Sequence, residues 1–512
     1  MFKPTDFSEK TGRLFMIGVP STILDDETKR LLDEVKPGSV ILFSRNIENK
    51  FQVKKLIDDI TVYLGYKPLF TIDQEGGIVT RLLEGFTVAP SAMAVSATGN
   101  SENAYKIGKI LGREMKAIGI DWDLAPVVDI NNNPDNPGIG IRSYSDCRET
   151  VVDFSSNFIK GLEEEGILSC IKHFPGKGRV AVDAHLDMPE LNISVEEMYK
   201  TEFYPFINVK APSWMPSHVW ISKIQDKKEP ATISEKVLTD LIRKELKYDG
   251  VLIADDLTMG GVANYYSPEE SVLKAFEAGM DILSVCHDTE MQIRVKKFME
   301  NKIKNNKILE KRMEESLERI VNIRNKFSDF PVIPLENINR ESDKETVQNI
   351  SEQAVTKISG NINFPLKKID NVFSVKLTRL VLVEDKKEGI PEIAKEISDM
   401  YETPLYIFDP KENENIISKY TEKAKGKVNV IFTENAHLYE GQKKLAEEIA
   451  KVSEELILIA LRNPYDAGIE GVKNCYCSYG YTVNQQKAIK KLFEGNIKPD
   501  GKLPLEWRKS NA

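Results

Sequence analysis

The chain has 512 residues, 41% of them hydrophobic and 29% charged, and carries a formal net charge of −9. That length exceeds one compact core and predicts two domains. The acidic balance, with Lys and Arg spread rather than gathered, gives no support to nucleic-acid or anionic-membrane binding. No run of 18 or more apolar residues occurs, and the first ten residues lack the apolar centre of a secretory leader. Cys147, Cys170, Cys286, Cys475 and Cys477 are scattered, and the Cys-x-Cys pair has no second pair to complete a zinc site. A reducing, cytoplasmic compartment and no metal are expected.

Taken in order, short apolar runs stand at 14–19, 39–43, 69–72, 122–129, 168–172, 214–219, 251–254 and 281–285. Between them lie charged segments of helical period, at 26–35, 51–64, 104–118, 150–165, 195–206, 235–246 and 269–278. Strands alternating with helices predict an α/β chain whose first part is a (β/α)8 TIM-like barrel. A doubly wound open sheet is the alternative, but no Gly-x-Gly-x-x-Gly follows the first strand. The charged stretch from Met291 to Asn325 reads as a helix pair, and Pro331, Pro334 and the charges that follow read as a linker. A second series, with strands at 377–383, 405–408, 428–432 and 456–461 and helices at 393–400 and 442–452, predicts a C-terminal α/β (αβα sandwich) domain. The expected division is 1–335 for the barrel, 336–350 for the linker and 351–512 for the second domain.

A barrel builds its site at the C-terminal ends of its strands. Polar groups do appear where the apolar runs stop: Ser44-Arg45-Asn46, Asp73-Gln74-Glu75, Asp129, Lys172-His173, His218 and Asp255-Asp256. After Lys172-His173 the Pro175-Gly176-Lys177-Gly178 run must be a surface loop. Within that loop Asp183 and His185 stand two apart, on one side of an extended segment, so the carboxylate can orient and polarise the imidazole. Asp255 and Asp256 end a buried strand, where a carboxylate is tolerated only if it caps a helix, is paired or faces a cavity.

Lys172-His173-Phe174-Pro175-Gly176 with Asp183-Ala184-His185 resembles the signature loop of glycoside hydrolase family 3, in its β-N-acetylglucosaminidase (β-N-acetylhexosaminidase) branch. The likeness continues through Asp73-Gln74-Glu75-Gly76-Gly77 with Arg81, Asn131-Asn132-Asn133-Pro134 with Arg142-Ser143-Tyr144, and the strand into Asp255. It implies a retaining exo-acting enzyme with Asp255 as nucleophile and the Asp183-His185 pair as general acid and base. Asp256 would hold the turn. Asp73, Arg81, Arg142, Lys172, His173 and His218 would bind the sugar, with a buried structural histidine a close second reading of His218. Arg462-Asn463-Pro464-Tyr465-Asp466 and Gly501-Lys502-Leu503-Pro504 look like marks of the family's second domain, read as structural support.

Two departures stand out. Lys177 occupies the place of a usual histidine, and Cys147-Arg148 replace a usual Asp-Pro. The implied substrate is a small GlcNAc-containing carbohydrate, from cell-wall fragments or chitin, acted on by a monomer or homodimer without metal or organic cofactor. Transfer of the sugar to phosphate, and a sugar-binding protein without turnover, are the competing readings. A β-glucosidase fits less well, because the Asp-His loop belongs to the N-acetyl branch.

Overall fold

The computed structural model describes residues 4, 6–182, 184, 186–327, 330–378, 384, 389–411 and 414–506. Eight parallel strands form the first sheet: β1 (Phe15–Gly18), β2 (Ser39–Leu42), β3 (Leu69–Ile72), β4 (Trp122–Asp123), β5 (Leu168–Phe174), β6 (Ser213–Pro216), β7 (Val251–Leu252) and β8 (Leu283–Val285). They neighbour one another in chain order, and a parallel bridge between Ile253 and Ile282 joins the last pair. β8 pairs with β1, so the sheet closes on itself as the expected barrel.

The near-continuous apolar runs follow from burial on both faces. Met16, Ile41, Leu69, Trp122, Leu168, Cys170, Met215 and Val251 fill the interior. Their neighbours Phe15, Ile17, Val40, Leu42, Phe70 and Ile72 meet the surrounding helices. Inside, the Trp122 indole N–H faces the Ser169 carbonyl and Ser213 Oγ at 3.3 and 3.2 Å.

Several expected elements differ. β4 stops at Asp123 rather than 129, since Pro126 has no N–H for the ladder. The helix expected over 195–206 is two, Val195–Lys200 and Phe203–Asn208, because Pro205 cannot donate back to Thr201. Helical turns over Lys236–Glu245 are of the wider π type. Within the stretch read as a linker, Glu341–Ala354 is a helix that buries Val347, Ile350 and Ala354, and buries Asp343 against Arg113, whose Nη2 lies 2.9 Å from both carboxylate oxygens.

The C-terminal sheet has six strands: β9 (Thr356–Ser359), β10 (Asn371–Val375), β11 (Leu405–Phe408), β12 (Val428–Thr433), β13 (Glu455–Ala460) and β14 (Asn474–Cys477). Their spatial order is β9-β14-β13-β12-β10-β11, all parallel except β9 against β14. The strand expected over 377–383 is preceded by the true one, β10, whose five residues are all buried. Residues 379–383 lie outside the described residues. Cys475 and Cys477 are two buried residues of β14.

The two halves share one interface. Ile78, Val79, Met93, Ala94, Ala97 and Ile141 of the barrel half belong to the apolar core of the second sheet. Ser91 Oγ donates to the Tyr479 carbonyl at 2.5 Å, Lys502 N to Ala97 O at 2.7 Å and Ser145 Oγ to Pro504 O at 2.6 Å. Among the described residues no helix is long and apolar enough to cross a membrane.

Because Ile350 is 2% exposed on the helix that joins the halves, Ile350→Ala is expected to destabilise the chain by about 2–5 kcal/mol. The urea midpoint measures this, and an unchanged midpoint would show that the helix carries no packing energy.

Candidate active site

A cavity of about 640 Å³ opens at the C-terminal ends of the barrel strands. Asp73, Arg81, Arg142, Lys172, His173 and Asp255, all expected at the site, line it. Asp183 and His185 lie outside the described residues. Ala184 between them is buried, and its carbonyl accepts from Gly261 N at 3.0 Å, six residues beyond Asp255.

One wall is a buried chain of alternating charge. Lys172, at the end of β5, sets its ammonium 2.7 Å from both Asp73 Oδ1 and Glu75 Oε1. Arg142 holds Glu75 bidentately, Nε to Oε2 and Nη2 to Oε1, each at 2.8 Å. Arg81 Nη2 stands 3.7 Å from Asp73 Oδ2. Burial pushes the Glu75 carboxyl up, but Arg142 and Lys172 outweigh it and bring it down to about 2. Burial likewise opposes the charge on Lys172, and Asp73 with Glu75 more than restores it, leaving its pKa raised.

Local backbone chemistry sets up this wall. Gly76 and Gly77 both have positive φ, +90° and +62°, and a Cβ on Gly77 would stand 2.7 Å from Ser91 Cβ. The turn they make brings Arg81 back beside Asp73. Gln74 Oε1 then accepts from the Arg81 and Leu82 N–H groups at 2.9 and 3.2 Å, locking the turn. Arg142 sits on a single 3-10 turn, Gly140–Arg142.

His173 is fixed by Asp129, whose Oδ2 lies 2.8 Å from Nδ1, while Oδ1 accepts from Lys177 N at 2.8 Å. Burial raises the Asp129 carboxyl, with Lys177 opposing. Asp256 holds its own turn, Oδ1 accepting from Thr258 N and Oγ1 at 2.8 and 2.7 Å. Asp255 Oδ1 accepts from the Asp256 N–H at 3.0 Å.

His218 is not among the residues that line the cavity. It is fully buried behind it, with Nδ1 2.8 Å from Thr232 Oγ1 and Nε2 2.9 Å from the Asp256 carbonyl. Burial lowers its pKa. A neutral ring donates from Nε2 to the carbonyl and accepts the threonine hydroxyl at Nδ1, propping the Asp255-Asp256 turn.

Residues 7–323 match the family model described as "Glycosyl hydrolase family 3 N terminal domain". The chain belongs to glycosyl hydrolase family 3.

It is thus a glycoside hydrolase, and its likenesses run along the whole chain. "Beta-hexosaminidase A" of Pseudoalteromonas piscicida is 26% identical, over 94% of this chain and 91% of that protein. "Beta-hexosaminidase" of Haemophilus influenzae is 35% identical, over 55% of this chain and 81% of its own. A solved family 3 β-N-acetylglucosaminidase from Paenibacillus superposes with a TM-score of 0.90 at 29% identity, covering 98% of this chain and 99% of that one.

This family 3 site also contains residues that the sequence reading did not single out. His287 lines the cavity, and Arg45 donates from Nη1 to its Nδ1 at 3.1 Å, leaving Nε2 3.5 Å from Asp256 Oδ2. The strand-end rule that marked the other positions applied here too, since His287 stands two residues beyond the end of β8. Glu384 comes from the C-terminal half and had no such signal. It is paired with Arg462, which also reaches Glu434 at 3.3 Å.

Glu75 loses its anchor in Arg142→Gln, and the stranded buried carboxylate is expected to lower stability at pH 7 by about 3–5 kcal/mol. In the native chain the Glu75 pKa is depressed to about 2 from an ordinary value of 4.5. Its contribution is therefore present above about pH 4.5 and fades as pH falls toward 2. The stability gap between the native chain and the variant should shrink over that window; chemical denaturation at stepped pH reads it, and a constant gap contradicts the assignment.

Proposed function

We propose that the chain is a cytoplasmic, retaining exo-β-N-acetylglucosaminidase that removes terminal β-linked GlcNAc from cell-wall (muropeptide) fragments or chitooligosaccharides. The observation that carries this reading is one cavity lined both by Asp255, just beyond β7, and by the charged wall of Asp73, Arg81, Arg142 and Lys172 from β5 and the loops after β3 and β4. A sugar ring held through its hydroxyls by fixed charges sets its anomeric carbon against a carboxylate. The name of the Paenibacillus structure supplies the N-acetyl sugar, and the two relatives named β-hexosaminidase support a hexosamine. Five free cysteines suit a reducing compartment.

In the first step the Asp255 carboxylate attacks the anomeric carbon while the glycosidic bond breaks, and His185 gives its proton to the departing oxygen. In the second, His185 takes a proton from water, the hydroxide displaces Asp255 and GlcNAc leaves with retained configuration. Asp183 orients the imidazole and stabilises its charged form. Asp73 and Arg81 hold hydroxyls on the far side of the ring, with Arg142, Lys172 and His173 beside them. His218 serves the turn rather than the sugar.

A second reading, transfer to phosphate, draws on Lys177 and Arg45, two cations lining the cavity that suit an anionic acceptor.

Incubation with 4-nitrophenyl β-N-acetylglucosaminide, with and without phosphate, tests both. Free GlcNAc in either buffer is expected, with Asp255→Asn at least about 10³-fold slower. GlcNAc-1-phosphate appearing with phosphate would favour transfer, and an unimpaired Asp255→Asn would remove Asp255 from its role.

A further inference from the structure

The 131–142 loop lies between the cavity and the C-terminal half and is gripped from both sides. On the inner side, buried Asn136 turns its amide Nδ2 to the carbonyls of Lys177, Gly178 and Val180 at 2.7, 3.2 and 2.6 Å. Its Oδ1 accepts from Gly138 N and Ile139 N at 2.9 and 2.8 Å, so the backbone groups themselves fix which way the amide points. Asn133 Nδ2 donates to the Arg179 carbonyl at 2.9 Å. A Cβ on Gly178 would stand only 1.7 Å from Ile130 O, so the two backbones touch.

On the outer side the grip comes from the second domain. His437 sets Nε2 3.1 Å from the Pro134 carbonyl and Nδ1 2.9 Å from Asp466 Oδ1. Asp466 is itself held by Thr433 Oγ1 at 2.7 Å. Asn131 Nδ2 donates to the Tyr465 hydroxyl at 3.0 Å, and the His437 and Tyr465 rings meet edge to face at 5.2 Å.

Residues 177–180 are the near base of the loop that carries Asp183 and His185. We propose that the C-terminal domain positions this loop: His437 and Tyr465 hold the 131–142 loop from outside, and Asn136 passes the restraint inward to residues 177–180. The proposal rests on the reading of His185 as proton donor. A proton donor acts only within hydrogen-bond reach of the departing oxygen, so a small displacement of the loop's base falls first on proton transfer. Asn136 and His437 are positioning residues in this scheme.

The signature is a dependence on the leaving group. The ratio kcat/KM ends at the first irreversible step, where the glycosidic bond breaks. A 4-nitrophenolate departs with little protonation, whereas the sugar alcohol leaving N,N′-diacetylchitobiose needs a full proton. Asn136→Ala is expected to lower kcat/KM on diacetylchitobiose by about 10–100-fold and on the nitrophenyl glycoside by no more than about 3-fold. His437→Ala, at the domain surface, should show the same bias at about 3–10-fold, and it covers the case in which Asn136→Ala fails to fold. His185→Ala is the reference. A bias in His185→Ala with equal losses, or none, in the two positioning variants would overturn the positioning role alone. No bias in His185→Ala would sink the reading of His185, and this proposal with it.

Discussion

The site depends on the buried sequence of charges Arg81, Asp73, Lys172, Glu75, Arg142. Each member has been taken out of water, a loss that only its neighbours offset. Ion pairs of this kind add little net stability over apolar packing, but breaking one leaves an uncompensated charge. Their value lies in rigidity: a guanidinium fork, an ammonium and two carboxylates cannot shift singly. On the proposed function, a sugar's hydroxyls would meet donors and acceptors already oriented, with little reorganisation left to binding or reaction.

That chain of charges could only form where a closed barrel brings β3 and β5 together. Asp73 and Lys172 are 99 residues apart in sequence yet 2.7 Å apart in space. The Gly76-Gly77 turn carries Arg81 back, and the 3-10 turn at Arg142 carries the second fork in. His218 belongs to the same logic one layer down, since its ring bridges the Asp256 carbonyl and the Thr232 hydroxyl. The C-terminal half extends the logic outward through Arg462, which presents Glu384 to the cavity, and through His437.

Much of this was legible in the sequence because barrel strands leave a strong trace. Doubly buried strands read as apolar runs, and the residue after each run falls at the mouth of the barrel. That rule found Asp73, Lys172, His173 and Asp255, and it pointed at Arg45 and Asp129 without assigning them a task. It failed where side-chain direction mattered: His218 follows an apolar run, yet its ring turns away from the cavity to bridge Thr232 and Asp256. Glu75 stands in its motif with no task assigned to it but is the hinge of the charge chain, because pairing with Arg142 is a tertiary fact. The helix Glu341–Ala354 was hidden by its charge, since three buried apolar positions in fourteen residues give a weak period. The partnership of His437 with Pro134 joins residues 303 apart, and no local pattern encodes it.

The shared apolar core has a consequence for how the chain can be divided. Ile78, Val79, Met93, Ala94, Ala97 and Ile141 lie in the barrel half but are covered by the second sheet. A protein cut after the last barrel helix would present these side chains to water as one contiguous greasy patch. Such a fragment would be sticky rather than merely inactive, and would tend to self-associate through the face it had lost. For this chain, the smallest unit that behaves as a well-mannered molecule in solution is therefore larger than the smallest unit that contains the chemistry.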